Sequence, residues 1–251
     1  MLELAQAVME SGRLFNIAGI NLKGGFDLGR DYYSEKLNAN LLFQAYDTAI
    51  PQVRDYLEGE IEYVRSRLEG DEDVLELGAG YGRIMRELAP SLRSITGIDL
   101  SERSVELGRE YLKDCPNCTI LAMDAHSPVF DRTFDAVLCL QNGLSAMKGD
   151  PANLVGQALR LLAPGGRAFF SSYSPDFWDY RLAWFQEQAD KGLLGEIDME
   201  RTGAGVIVCK DGFTATTFDR AALERLGRSS GCVYSVEDLG SSVFLTLEKN
   251  R

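Results

Sequence analysis

Val74-Leu75-Glu76-Leu77-Gly78-Ala79-Gly80-Tyr81-Gly82 is the stretch of this 251-residue chain that decides its fold. An apolar run broken only by Glu76 gives way to glycines at alternate positions, and a helix opens at Arg83-Ile84-Met85. Glycine lets the backbone turn tightly and lets a ligand lie against peptide groups with no Cβ between them. Taken alone such a loop is a weak signal, since many phosphate sites use one. It also departs from the dinucleotide fingerprint GxGxxG, because the sixth position is Arg83 and the third glycine comes one residue early. That departure disfavours a nicotinamide oxidoreductase.

Outward from the loop, short apolar runs alternate with amphipathic stretches. The runs are Val74–Leu77, Ser94–Ile98, Thr119–Met123, Ala136–Leu140 and Arg167–Tyr173. Ser101 is placed to cap a helix carrying Val105, Leu107 and Tyr111, and Asp150-Pro151 sets a capping carboxylate before a first-turn proline. Pro164-Gly165-Gly166 is expected to stop that second helix. Alternation of this kind builds a parallel sheet covered on both faces. Two last strands, near Val233–Val236 and Val243–Glu248, are joined by a short Gly240-Ser241 turn that suits an antiparallel hairpin. The expected fold is α/β: a Rossmann-like, seven-stranded, mostly parallel sheet with helices on both faces.

Two segments stand outside that alternation. Residues 1–70 read as an N-terminal helical cover, with Val53, Tyr56, Leu57, Ile61, Val64 and Leu68 on one helical face. After the fifth strand, about 174–217, the pattern predicts an inserted α+β cap. It consists of an aromatic helix and an antiparallel meander marked by Gly203-Ala204-Gly205 and Lys210-Asp211-Gly212. Trp178, Leu182, Phe185 and Ala189 form the expected docking face of the helix, while Phe177, Tyr180 and Trp184 widen its apolar surface. Three things can cover that surplus: a substrate pocket, the meander, or a second copy that makes an oligomer through the cap.

Composition narrows the partners. A formal net charge of −12 argues against non-specific nucleic-acid binding, which needs a basic face. No run reaches the roughly 18 apolar residues of a membrane span, and Glu3 and Glu10 stand where a signal peptide would be apolar. A cytoplasmic protein with a small-molecule partner and no membrane association is expected. Five cysteines and one histidine supply neither a disulfide framework nor a metal site. Cys115-Pro116-Asn117-Cys118 is best read as a turn leading into a strand.

Asp99 ends the second strand, where a carboxylate can accept both hydroxyls of a ribose. Asp124-Ala125 follows the third, where a carboxylate can take a hydrogen bond from an adenine amino group. At this point the chain resembles the class I S-adenosylmethionine-dependent methyltransferases. The motifs are Glu76-x-Gly78-x-Gly80-x-Gly82 and Gly97-Ile98-Asp99-Leu100-Ser101. Asp124-Ala125-x-x-Pro128-x-Phe130 with Phe134-Asp135, and Leu162-x-Pro164-Gly165-Gly166, complete them. The likeness covers 70–173 closely and 212–249 more loosely, and makes 71–251 a methyltransferase domain with the cap inserted.

The resemblance implies S-adenosylmethionine as cofactor and S-adenosylhomocysteine as product. It implies that Gly78, Ala79 and Gly80, beside Glu76, line the methionine part, and that Asp99 holds the ribose with Leu100 on the adenine. Asp124 and Ala125 would read the adenine edge, and Gln141 would sit near the cofactor amino group. Tyr32, Tyr33, Tyr46 and Arg54 precede the loop where relatives place an aromatic cover and a cation for the cofactor carboxylate. Gln141-Asn142-Gly143-Leu144 is not the motif of DNA amino-methyltransferases. A methyl group arrives already activated, so the protein mainly aligns the partners, and a missing base is uninformative. His126 and Tyr33 are the candidates for a base. Phe177, Tyr180 and Trp184 are the candidates for a substrate pocket. The expected activity is methyl transfer to a small molecule. RNA or protein as acceptor, or a cofactor-binding protein without transfer, are the alternatives.

Overall fold

The structure, a computed structural model, describes residues 40–251. Tyr32 and Tyr33 lie outside the described residues. Two helices lead in, α1 (Asn40–Tyr46) and α2 (Pro51–Arg65), followed by β1 (Asp73–Leu77), α3 (Arg83–Leu88) and β2 (Ser94–Asp99). Next come α4 (Glu102–Tyr111), β3 (Cys118–Ala122), β4 (Phe134–Cys139) and the single turn α5 (Gly143–Ala146). After α6 (Pro151–Leu161) and β5 (Leu162–Tyr173) the chain enters the cap: α7 (Trp178–Asp190), β6 (Val206–Val208) and β7 (Thr214–Thr216). It closes with α8 (Arg220–Ser229), β8 (Val233–Leu239) and β9 (Ser242–Glu248).

The seven-stranded sheet runs β3-β2-β1-β4-β5-β9-β8. The first five strands are parallel; β9 is antiparallel to β5, and β8 to β9. Strands buried on both faces explain the unbroken apolar runs, and Val74, Leu75, Val137 and Phe169 are fully buried. The chain leaves β1 toward β2 on one side and later returns on the other side as β4. The crevice at the carboxyl ends of β1 and β4 is thus the switch point where this architecture binds ligands.

Three expectations need correction. Pro164-Gly165-Gly166 does not stop α6, which ends at Leu161; those residues lie inside β5, where Gly165 N–H donates to Lys249 O at 2.9 Å. A Cβ on Gly166 would meet Asp135 O at 2.8 Å, so the glycine is needed for strand contact rather than for helix termination. The buried face of α7 is Arg181, Trp184, Phe185 and Gln188; of the expected docking residues Phe185 lies in it, and Trp178 and Leu182 pack partly buried against the same core. Arg181 tolerates complete burial because its guanidinium donates to Gly205 O, Ala215 O and Thr217 Oγ1. It also lies against Tyr173, 4.4 Å from the ring centroid, and so pins α7 to the meander. The buried face of α2, finally, includes a carboxylate, Glu60, among its apolar residues.

Candidate functional site

A cavity of about 210 Å³ occupies the crevice between β1 and β4. Its base is the glycine loop. Gly78 N–H and Ala79 N–H both donate to Ile98 O at 2.9 Å, which fixes the loop to the end of β2. Gly80 has φ 56°, and a Cβ there would fall 2.7 Å from Leu42 of α1. A side chain at this position is excluded by conformation and by space. α1 therefore lies directly on the loop.

Asp99 accepts from Gly80 N–H through Oδ2 at 2.8 Å and from Ser101 N–H through Oδ1 at 2.9 Å. Burial holds its pKa above the usual carboxylate value, against those two donors. The cap of α4 is made by Ser101 Oγ, which accepts from Ser104 N–H at 3.2 Å. Asp99 is thus not needed as that cap, and each of its oxygens keeps a lone pair beside the cavity. Leu100, half exposed, flanks it. Asp124 accepts from His126 N–H at 2.8 Å and lines the cavity with Ala125.

Three polar groups of the same cavity lack partners among the described residues: Glu76 Oε2, Arg83 Nε and Nη2, and Gln141 Nε2. All three residues line the cavity. Burial pushes the Glu76 carboxyl up to about 8; nearby Arg83 opposes the rise and Asp99 adds to it. Arg83 lies over the Tyr46 ring at 4.8 Å. Unpartnered buried polar atoms are disfavoured by 1–3 kcal/mol each, roughly, and more when charged. A ligand carrying its own ammonium and carboxylate would satisfy them together. The residues present fit the amino-acid end of S-adenosylmethionine.

The structure gathers Glu76, Gly78, Ala79, Gly80, Asp99 and Leu100 at this cavity, with Asp124, Ala125, Gln141 and Tyr46 completing it. It does not bring Arg54 there. Arg54 is exposed on α2 and donates to Thr48 O at 3.2 Å, because its helical position faces away from the apolar stripe. Phe177 and Trp184 are also absent from the wall. Phe177 stacks on Tyr56 at 5.1 Å, and Trp184 donates its indole N–H to Ala45 O at 2.9 Å, so both are core. Tyr180, 42% exposed, packs on the outer side of Phe177. His126 lines the cavity, yet both ring nitrogens are engaged. Nε2 lies 2.8 Å from Lys148 O, and Nδ1 lies 3.2 Å from the Asn153 amide nitrogen. A neutral ring that donates from Nε2 and accepts at Nδ1 satisfies both contacts. Tyr33 lies outside the described residues.

Sequence reasoning missed Arg83 as the cavity's cation. The available signal was its place as the first residue of α3, where the positive end of the helix dipole disfavours a cation.

Residues 74–166 match the family described as "Methyltransferase domain". Among curated proteins, the ubiquinone biosynthesis O-methyltransferase of Hydrogenovibrio crunogenus is 28% identical over 124 residues, 48% of this chain and 51% of that protein. The demethylmenaquinone methyltransferase of Tropheryma whipplei is 36% identical over 106 residues, 41% of this chain and 42% of that protein. The chain thus spans about half the length of the curated relatives it matches. Among solved structures, the N-methyltransferase NodS from Bradyrhizobium japonicum, determined with S-adenosylhomocysteine, superposes with TM-score 0.58 at 15% identity. That match covers 90% of this chain and all of the other, a likeness of fold.

Proposed function

We propose that the chain is a class I S-adenosylmethionine-dependent methyltransferase acting on a small-molecule acceptor, from the premise that residues 74–166 match the family described as "Methyltransferase domain". The observation that supports this most directly is the set of unpartnered Glu76, Arg83 and Gln141 atoms, which line the same cavity as the Asp99 carboxylate. When bound, S-adenosylmethionine supplies an activated methyl on its sulfonium, displaced in line by the acceptor. Asp99 would accept the ribose hydroxyls, Asp124 the adenine amino group, Glu76 the ammonium and Arg83 the carboxylate. Gln141 would donate its amide beside them. Leu42, Tyr46 and Met147 close the wall and exclude water, the remaining task once the partners are aligned. His126 holds the Met147–Lys148 turn through its ring.

Support for a small acceptor comes from the net charge of −12, the cavity of about 210 Å³ and relatives named for quinone methylation. No helix among the described residues is long and apolar enough to cross a membrane. Two measurements on the purified chain test the reading. Calorimetric titration with S-adenosylhomocysteine should give a saturable micromolar site; no binding at millimolar ligand overturns the cofactor assignment. Methyl-labelled cofactor incubated with cell extract should label the small-molecule fraction, and label confined to RNA or protein overturns the acceptor class.

A further inference from the structure

Glu60 belongs to the N-terminal cover, outside the matched residues 74–166, yet its carboxylate is spent on the cavity wall. It is 1% exposed and lies on the same face of α2 as Leu57, Ile61 and Val64. Oε2 accepts from Gln141 N–H and from Ser171 Oγ, both at 2.8 Å; Oε1 accepts from Ser242 Oγ at 2.9 Å. Ser171 Oγ in turn accepts from the same Gln141 N–H at 2.8 Å. One carboxylate thereby joins α2, the end of β4, β5 and β9.

What it holds is strained. Gln141 and Asn142 are consecutive non-glycine residues with φ 53° and 60°. Left-handed backbone of this kind persists where the surroundings over-determine it, and it clusters at functional sites. Asn142 is fixed from the other side, accepting from Ser172 Oγ at 2.8 Å and donating to Thr216 O of the cap at 3.0 Å. The Gln141 amide nitrogen is left without a partner among the described residues, on the cavity wall. An apolar residue at position 60 would match its neighbours on α2 and avoid burying a charge. Packing alone gives no reason for a carboxylate there.

We propose that Glu60 is a positioning residue of the cavity: it clamps Gln141 in the left-handed conformation that presents the Gln141 amide to bound ligand. The N-terminal cover thereby becomes part of the binding site. The assignment rests on reading the cavity as the S-adenosyl site.

The test is calorimetric titration with S-adenosylhomocysteine, with a melting curve for each variant. The parent is titrated first; if it binds nothing, the cofactor reading itself fails, before any variant is compared. With the parent binding, Glu60→Ala should weaken affinity by about tenfold or more, the scale of a lost hydrogen bond to a charged group. Glu60→Gln keeps an oxygen toward Gln141 and Ser171 and should stay within about threefold. In a Gln141→Ala background, Glu60→Ala should add less than about twofold, because the group it positions is gone. A merely structural carboxylate would cost the same in both backgrounds. Ser171→Ala, which removes one of the two acceptors of Gln141 N–H, is the milder variant should Glu60→Ala fail to fold. It should weaken binding by about threefold, again only while Gln141 is present. Parental affinity in a folded Glu60→Ala or Ser171→Ala, or an equal loss in the Gln141→Ala background, overturns the proposal.

Discussion

Arg83 and Asp99 show what single residues disclose and what they conceal. A carboxylate at the end of the second strand is legible, because strand ends in a parallel sheet face the crevice and the glycine loop marks which end binds. Asp99→Ala should weaken S-adenosylhomocysteine by on the order of 10²-fold, since two charge-assisted hydroxyl bonds contribute roughly 1.5–3 kcal/mol each. An affinity within threefold of the parent, with a lowered melting temperature, would leave Asp99 a loop tether to Gly80 and Ser101 and nothing more. Arg83 concealed its role because a residue after a glycine loop reads first as part of the turn. Its Nε and Nη2 find no acceptor among the described residues, so substitution breaks no hydrogen bond from them. Arg83→Met should therefore weaken S-adenosylhomocysteine by roughly tenfold or more with the melting temperature held. A large melting loss at unchanged affinity would make it a packing residue. Glu60 was equally hidden, since one of four acids on a helix reads as solvent-facing until β5 and β9 are placed against it.

Among elements, the five strands of 73–173 and helices α3, α4 and α6 were legible through their changing period, and the closing hairpin through Gly240-Ser241; the turn α5 and the start of β5 at Leu162 were not. The docking of the cap helix was not. Helical spacing sorts residues by polarity, and α7 buries Arg181 and Gln188 by pairing them, which spacing cannot register. The consequence reaches α1. Seven residues are too few to hold a helix by themselves, and α7 supplies the support. Trp184 donates to Ala45 O at 2.9 Å, and Thr48 Oγ1 donates to Glu187 at 2.6 Å just beyond. On its other side α1 meets the glycine loop, with Phe43 at 5.5 Å from the Tyr81 ring. The cap therefore brackets the lid of the cavity rather than lining it. Trp184→Phe keeps an aromatic ring and removes the N–H, leaving the Ala45 carbonyl unpaired at about 1–2 kcal/mol. Amide hydrogen exchange across 40–46 should quicken by about fivefold or more, and saturating S-adenosylhomocysteine should slow it again. Unchanged exchange in the variant would detach the cap from the lid.

Over the whole molecule, two buried glutamates tie stability and binding to pH. Burial raises Glu60 to about 7 and Glu76 to about 8. The folded state thus holds protons that the unfolded chain releases near pH 4.5. Where the folded state binds more protons, stability falls as pH rises. The contribution is fully present below the unfolded value and is lost through pH 7 to 8, on the order of a few kcal/mol. The melting temperature should decline between pH 5 and pH 8.5, and Glu76→Gln should flatten the upper part of that decline. The proposed ligand would reverse the preference at Glu76. A cationic ammonium beside this carboxylate would favour its charged form, so binding at pH 7 would expel a proton that the free protein holds. Titrations with S-adenosylhomocysteine at pH 7 in buffers of different ionisation enthalpy should show that release, and affinity should rise with pH up to about 8. Both effects should vanish in Glu76→Gln. Heats independent of buffer, or a release that survives the substitution, would remove Glu76 as the partner of the ammonium while leaving Asp99 and Arg83 to be judged on their own variants.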